Sequence, residues 1–186
     1  LGLALTACGG SGDGAAADAG ASDAGGAATG TVEVEDNNGP QTVQTPPASA
    51  VATDNRTFET LADWGVTLTA AARTLMPSTN PLKEDESIID LGNHREPDLE
   101  AVVAAEPTLI INGQRFAQYH DDFVKYAPDA TILELDPRED QPFADELKRQ
   151  VSVLGEIFGK QTEAETLGTD LDAAIERVKA AYDGSS

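Results

Sequence analysis

An α/β fold built on a mainly parallel sheet is predicted by three features of the sequence. Short apolar runs alternate with polar loops and helical segments from Ala50 to Leu135, and that spacing leaves room for a helix between successive parallel strands. Helix stop and start signals such as Gly65, Pro97 and Pro107 punctuate the rhythm. After Pro142 the pattern becomes helical only.

The elements follow in chain order. Residues 9–30 hold Gly, Ala, Ser and Asp with a single Thr and no aromatic or large aliphatic residue, so they cannot bury enough apolar surface to order themselves and read as a solvated tether. Thr31–Glu35 alternates, and the turn-rich run Asp36-Asn37-Asn38-Gly39-Pro40 predicts a hairpin into Gln41–Thr45. Strands are then predicted at Ala50–Thr53, Val66–Ala72, Ser87–Leu91, Thr108–Ile111 and Thr131–Leu135. Helices are predicted at Thr57–Trp64, Asp98–Ala105 and Ala117–Tyr126. Phe143, Leu147, Val151, Leu154 and Phe158 keep helical spacing up to Gly159. Thr162–Tyr182 carries Leu167, Leu171, Ala174, Ile175 and Val178 on one face, and no strand follows it, so the sequence reads as stopping mid-protein. One ordinary domain is expected from Thr31 onward.

The single cysteine, Cys8, ends the run Leu5-Thr6-Ala7-Cys8-Gly9 behind an apolar stub. A small-residue cleavage site after an apolar segment is how a secretory signal ends, and the run resembles a bacterial lipobox. Residues 1–7 are then a signal-peptide remnant, and Cys8 is the lipidated first residue of the mature protein. The alternative is an incidental free thiol near the terminus. With 33 acidic and 12 basic residues, a formal net charge of -21 and a pI near 4.1, the chain lacks the basic surface that nucleic acid demands. The same charge excludes peripheral binding to anionic lipid, which leaves an acyl chain on Cys8 as the membrane attachment. One cysteine cannot form an intrachain disulfide, so the core must hold by burial alone.

Ligands of open α/β sheets bind outside the carboxyl ends of the strands. Five of the seven arginines follow predicted strand ends: Arg56, Arg73, Arg95, Arg115 and Arg138, while Arg149 and Arg177 lie on the later helices. Guanidinium stays charged and offers planar paired donors to oxyanions and metal-bound oxygens. In so acidic a chain, a local arginine cluster would be needed to attract an anion. The competing reading is that loop arginines pair with neighbouring carboxylates, Glu96 beside Arg95 and Glu139 beside Arg138.

The segment Ile89-Asp90-Leu91-Gly92-Asn93-His94-Arg95-Glu96-Pro97-Asp98-Leu99-Glu100, leading into Glu106-Pro107-Thr108-Leu109-Ile110-Ile111, resembles a stretch of the substrate-binding lipoproteins that serve ABC importers of iron–siderophore complexes. The likeness extends from Thr60-Leu61 and Trp64-Gly65-Val66 through Tyr126-Ala127-Pro128 to Leu154-Gly155-Glu156-Ile157-Phe158-Gly159-Lys160, in the right order, and its branch is the catecholate one. The resemblance implies a two-lobed receptor whose lobes are joined by a rigid helix. Residues 31–160 would be a Rossmann-like N-terminal lobe and 161–186 the interlobe helix, with the C-terminal lobe absent. It implies ferric siderophore as the ligand, an ABC permease as the partner, and a place on the outer face of the bacterial cell membrane. Arg56, Arg73, Asn93, His94, Arg95, Arg115 and Phe116 are the ligand-binding candidates by position, with Met76 packing beside Phe116 on ligand rings. The branch places an arginine where this chain has Gln114, and here the arginine comes one residue later, as Arg115. Asp121 and Asp122 are candidates for docking on the permease.

Other functions fit less of the sequence. The relatives that take up haem hold iron through His and Tyr, which makes Tyr119-His120 the haem alternative. Two histidines are too few for a zinc or manganese site without carboxylate help. No G-x-S-x-G, H-E-x-x-H, phosphate-cradling glycine loop or spaced cysteine pair occurs, so no enzyme is expected. A purely adhesive surface lipoprotein would have no pocket.

Overall fold

A computed structural model describes residues 30–183. The signal remnant, Cys8 and almost all of the tether lie outside the described residues.

β1 (Gly30–Asp36) and β2 (Gly39–Thr45) form the predicted hairpin, paired antiparallel from Gly30↔Thr45 to Asp36↔Gly39. The strands run further than the turn-rich sequence suggests, because only Asn37 and Asn38 are needed for the reversal. The Asp36 carboxylate accepts the Asn38 amide at 2.7 Å, and Gly39 takes φ +116°, a value that L side chains rarely adopt. The hairpin is fastened to the main body by Asn37 N–H donating to the Glu134 carbonyl at 2.9 Å and Thr45 Oγ1 donating to the Ile157 carbonyl at 2.7 Å.

Five parallel strands form the central sheet in the order β5 (Ile89–Asp90), β4 (Ala70–Ala71), β3 (Ala50–Ala52), β8 (Leu109–Asn112), β9 (Thr131–Glu134). Every residue of β3, β4 and β8 is buried, as expected of parallel strands covered on both faces. The run Val66–Ala72 yields a strand only at its end. Gly65, at φ +67°, closes α1 (Phe58–Asp63), and the Val66 amide donates back to the Leu61 carbonyl, so these residues complete the helix exit before the strand begins. A two-stranded ribbon, β6 (Gly92–Asn93) with β7 (Glu96–Pro97), follows β5 and puts His94 and Arg95 at its tip.

α2 (Leu99–Ala104) is capped by the Asp98 carboxylate, which accepts from Ala101 N–H at 2.9 Å. The helix expected from Ala117 begins as a 3-10 turn over Gln114–Tyr119 and becomes α3 at His120–Tyr126. α2 and α3 pack together, and the strand order with the right-handed rule for parallel crossovers assigns them to the face of the sheet opposite α1. α4 (Phe143–Phe158) ends at Gly159, φ +66°, and α5 (Gln161–Asp183) folds back along it. Their crossing is close because Gly155 has no side chain: a Cβ there would lie 2.8 Å from that of Ala164. Leu171, Ala174 and Ile175 of α5 are half-buried, whereas Leu167 and Val178 are exposed.

The core is continuous from Phe58 and Leu61 through Leu109, Ile110 and Ile111 to Leu133, Leu154 and Ile157, all fully buried. At roughly 1.5–3 kcal/mol for each large apolar side chain, burial of this extent stabilises the fold with no disulfide. Among the described residues no helix is long and apolar enough to cross a membrane.

Candidate functional site at the carboxyl edge of the sheet

The chain runs outward from β3 to β4 and β5, then returns to place β8 on the other side of β3. The loops leaving β3 and β8 therefore diverge, and the crevice between them is where open α/β sheets bind ligands. A cavity of about 250 Å³ lies there. Thr53 and Asn55 line it from β3, Gln114, Arg115 and Phe116 from β8, and Leu75 and His94 close its far side.

A scaffold of buried polar groups sets the β8 wall. Gly113 sits in extended backbone between two carboxylates: a Cβ would lie 2.8 Å from Asp54 Oδ2 and 3.0 Å from Asp136 Oδ1. Gln114 then takes φ +52°, a left-handed value that is costly for a side chain bearing a Cβ. Hydrogen bonds offset that cost. Its amide donates to both Asp136 oxygens at 3.0 and 2.9 Å, and its side-chain amide donates to Asp54 Oδ1 at 3.1 Å and to Asn55 Oδ1. Asp54 is fully buried and also accepts from Gln150 Nε2 at 3.0 Å and from the Arg56 amide at 3.0 Å. Thr53 Oγ1 donates to Asn112 Oδ1 at 2.9 Å, and Asn112 Nδ2 donates to Glu134 Oε1 at 2.8 Å.

The five edge arginines divide. Arg56 is bound to Asp136 and sits 3.4 Å from Asp54, so its charge is shared between two acids beside the pocket. Arg73 is turned away from the pocket: its guanidinium donates to the Lys83 carbonyl at 2.9 and 2.6 Å and to the Ile88 carbonyl at 3.2 Å, pinning the loop that precedes β5. Arg138 pairs with Glu146 at 2.7 Å, rather than with the adjacent Glu139. Glu146 is buried and also binds Arg149 at 2.9 Å, and the hydrogen bonds from Arg138, then those from Arg149, hold its carboxyl down at about 2 against the cost of burial.

Arg115 and Arg95 meet no carboxylate among the described residues. Arg115 is exposed on the pocket lining, its Nη1 3.1 Å from His94 Nε2. Arg95 stands exposed at the ribbon tip, where its amide donates to Asn93 Oδ1 at 2.9 Å and fixes the turn. Phe116 is 1% exposed but offers that remaining edge to the pocket, while Met76 lies in the core. Tyr119 Oη donates to the His94 carbonyl at 2.8 Å, and His120 Nδ1 lies 3.0 Å from Glu134 Oε1, so the two neighbours serve different partners. Asp121 and Asp122 occupy the first turn of α3, outside the pocket lining. Among the described residues no His, Cys, Asp or Glu cluster could hold a metal ion.

The Asp54–Gly113–Asp136 scaffold leaves one trace in the sequence, a glycine directly after the strand Leu109–Asn112. Its partners lie far apart in the chain, and nothing local links them.

The model of the periplasmic binding protein family matches residues 51–185. The ferric-anguibactin-binding protein FatB of Vibrio anguillarum is 27% identical over 151 residues, covering 80% of this chain and 47% of FatB. The petrobactin-binding protein YclQ of Bacillus subtilis is 27% identical over 146 residues, covering 77% of this chain and 44% of YclQ. The crystal structure of the periplasmic catecholate-siderophore binding protein VctP from Vibrio cholerae superposes with a TM-score of 0.72 at 21% identity, over 84% of this chain and 55% of VctP. This chain thus spans about half the length of the relatives it matches. The superposition identifies the α/β unit as the N-terminal lobe of the periplasmic binding fold. A pocket at the switch point, a non-catalytic family and a match over residues 51–185 agree: the chain belongs to the periplasmic binding protein family.

Proposed function

We propose that this chain is the N-terminal part of the substrate-binding component of an ABC importer, and that it captures a ferric siderophore of the catecholate type for iron uptake. The observation that carries the reading is Arg115: a guanidinium without a carboxylate partner, on the lining of a switch-point pocket, in a chain of net charge -21. Such a group is suited to the anionic oxygens around a chelated ferric ion, and the half-buried Leu75 on the same lining, backed by Phe116, to a catechol ring. The ligands named for FatB, YclQ and VctP support the same class. Part of the cleft wall would come from the half of the relatives' length that this chain does not span. Lipidation at Cys8 would hold the receptor outside the cell membrane, and Asp121 and Asp122 would meet the permease.

The test is quenching of Trp64 fluorescence in the full-length protein, both halves of the cleft included, as ferric catecholate, ferric hydroxamate and haem are added in turn. Saturable quenching by the catecholate complex, lost in Arg115→Ala, is expected. No quenching by any ferric complex or by haem would overturn the transport reading, and quenching by haem alone would move it to haem uptake.

A further inference from the structure

The two histidines of this chain face opposite charges. His120 Nδ1 lies against a carboxylate, 3.0 Å from Glu134 Oε1. His94 Nε2 lies against a guanidinium, 3.1 Å from Arg115 Nη1. An arginine nitrogen has only protons to offer, so a hydrogen bond across this contact assigns the lone pair to His94 Nε2 and the ring proton to Nδ1. Nδ1 is buried and has no hydrogen-bond partner among the described residues. The neutral ring is thus held by a single bond, from Arg115, and the pocket's unpaired guanidinium is held by the same bond.

Adding a proton to Nε2 replaces that acceptor with a second donor. The bond is lost and two cations are left side by side, an arrangement that only a nearby anion would favour. Among the described residues no carboxylate makes an ion pair with the His94 ring. Tyr119 spends its hydroxyl on the His94 carbonyl, Arg73 on the turn beside β6 is tied to the Lys83 and Ile88 carbonyls, and Arg95 and Glu96 follow along the ribbon without an ion pair to the ring.

We infer that His94 is a proton-dependent latch on Arg115, so that the pocket takes up a proton as it binds an anionic, oxygen-rich ligand. Neutral His94 holds Arg115 across the pocket. Protonated His94 releases it and adds a second positive charge facing the ligand. The inference rests on the pocket being the anion site proposed above, and its sign follows from linkage. Bound anion favours the charged ring, binding consumes a proton, and affinity rises as pH falls through the range where histidine gains charge.

Nitrogen-detected NMR of the chain without ligand tests the latch independently of the transport reading. At pH 8 the His94 ring should carry its proton on Nδ1. On acidification the His94 ring and the Arg115 side-chain signals should move together. His94→Gln keeps an acceptor but cannot gain charge, and should abolish the pH response of Arg115, whereas His120→Gln should leave it intact. A proton on Nε2 at pH 8, or an Arg115 response that survives His94→Gln, would overturn the inference. In a second arm, a hexadentate ferric tris-catecholate is titrated between pH 8 and pH 6, a range in which affinity should rise roughly tenfold for the unmodified chain and stay flat for His94→Gln. Binding with no pH dependence would also overturn the latch. Failure of the probe to bind at any pH would count against the transport reading, while the ligand-free spectra would still decide the latch.

Discussion

The two ends of one sheet edge treat arginine in opposite ways. Toward β9, Arg56 meets Asp54 and Asp136, while Arg138 and Arg149 share the buried carboxylate of Glu146. Toward the pocket, Arg115 meets a histidine and Arg95 meets solvent. All of these guanidiniums carry the same charge, and four of the five follow strand ends. What separates them is the nearest acid. A buried carboxylate cannot stay ionised unpaired, so it captures an arginine and turns it into structure. Where no acid is in reach, the arginine remains free for a ligand. Position at a sheet edge nominates an arginine; the absence of a partner selects it.

Breaking the paired end should have the largest effect. Glu146→Gln leaves two guanidiniums without their acceptor, and unfolding in urea should show a loss of about 3 kcal/mol, the lower end for breaking a buried pair. The same group gives the paired end a signature in acid. The Glu146 carboxyl is held at about 2 against 4.5 when free, so its contribution is complete above pH 4.5 and is lost as pH falls toward 2. Urea midpoints measured across that window should drop for the unmodified chain more steeply than for Glu146→Gln.

Gly113→Ala comes next. Its methyl group would enter the space of the Asp54 and Asp136 carboxylates, and overpacking of this kind costs roughly 1–3 kcal/mol. Because the Gln114 amide is bonded to Asp136, the same variant should also displace Arg115, visible as a shift of its side-chain signals.

Arg73→Ala and Arg95→Ala sharpen the comparison at smaller scale. Arg73 donates to two carbonyls, and its loss should cost about 1–2 kcal/mol in thermal or urea unfolding with little effect on ligand binding. Arg95 touches solvent, so its replacement should leave stability within about 0.5 kcal/mol and act only on affinity.

Much of the fold was legible because it rests on local pattern. The hairpin, β3, β8, β9 and the helices α1, α2 and α4 follow from apolar spacing, caps and glycine stops. An apolar run can also serve a different end. Val66–Leu68 has the composition of a strand but finishes the exit of α1, because the Val66 amide is already taken by the Leu61 carbonyl. The β6–β7 ribbon leaves no periodic signal because its strands are two residues each, too short for alternation to show.

The site was legible in outline only. Predicted strand ends brought His94, Arg115 and Phe116 to one pocket, with Arg56 beside it, but chain distance hid which cations were spent. Glu139 is next to Arg138 in sequence, yet the turn into α4 brings Glu146 to it instead. Arg56 finds Asp136 across 80 residues, and no local rule reaches that far.

Paramagnetic broadening of the arginine side-chain signals on addition of a ferric tris-catecholate tests the central claim most directly. Iron bound in the switch-point pocket should broaden Arg115 first and Arg95 next, leaving Arg73 and Arg138 sharp. Broadening of Arg138 with Arg115 untouched would place the ligand at the paired end of the edge and contradict the account.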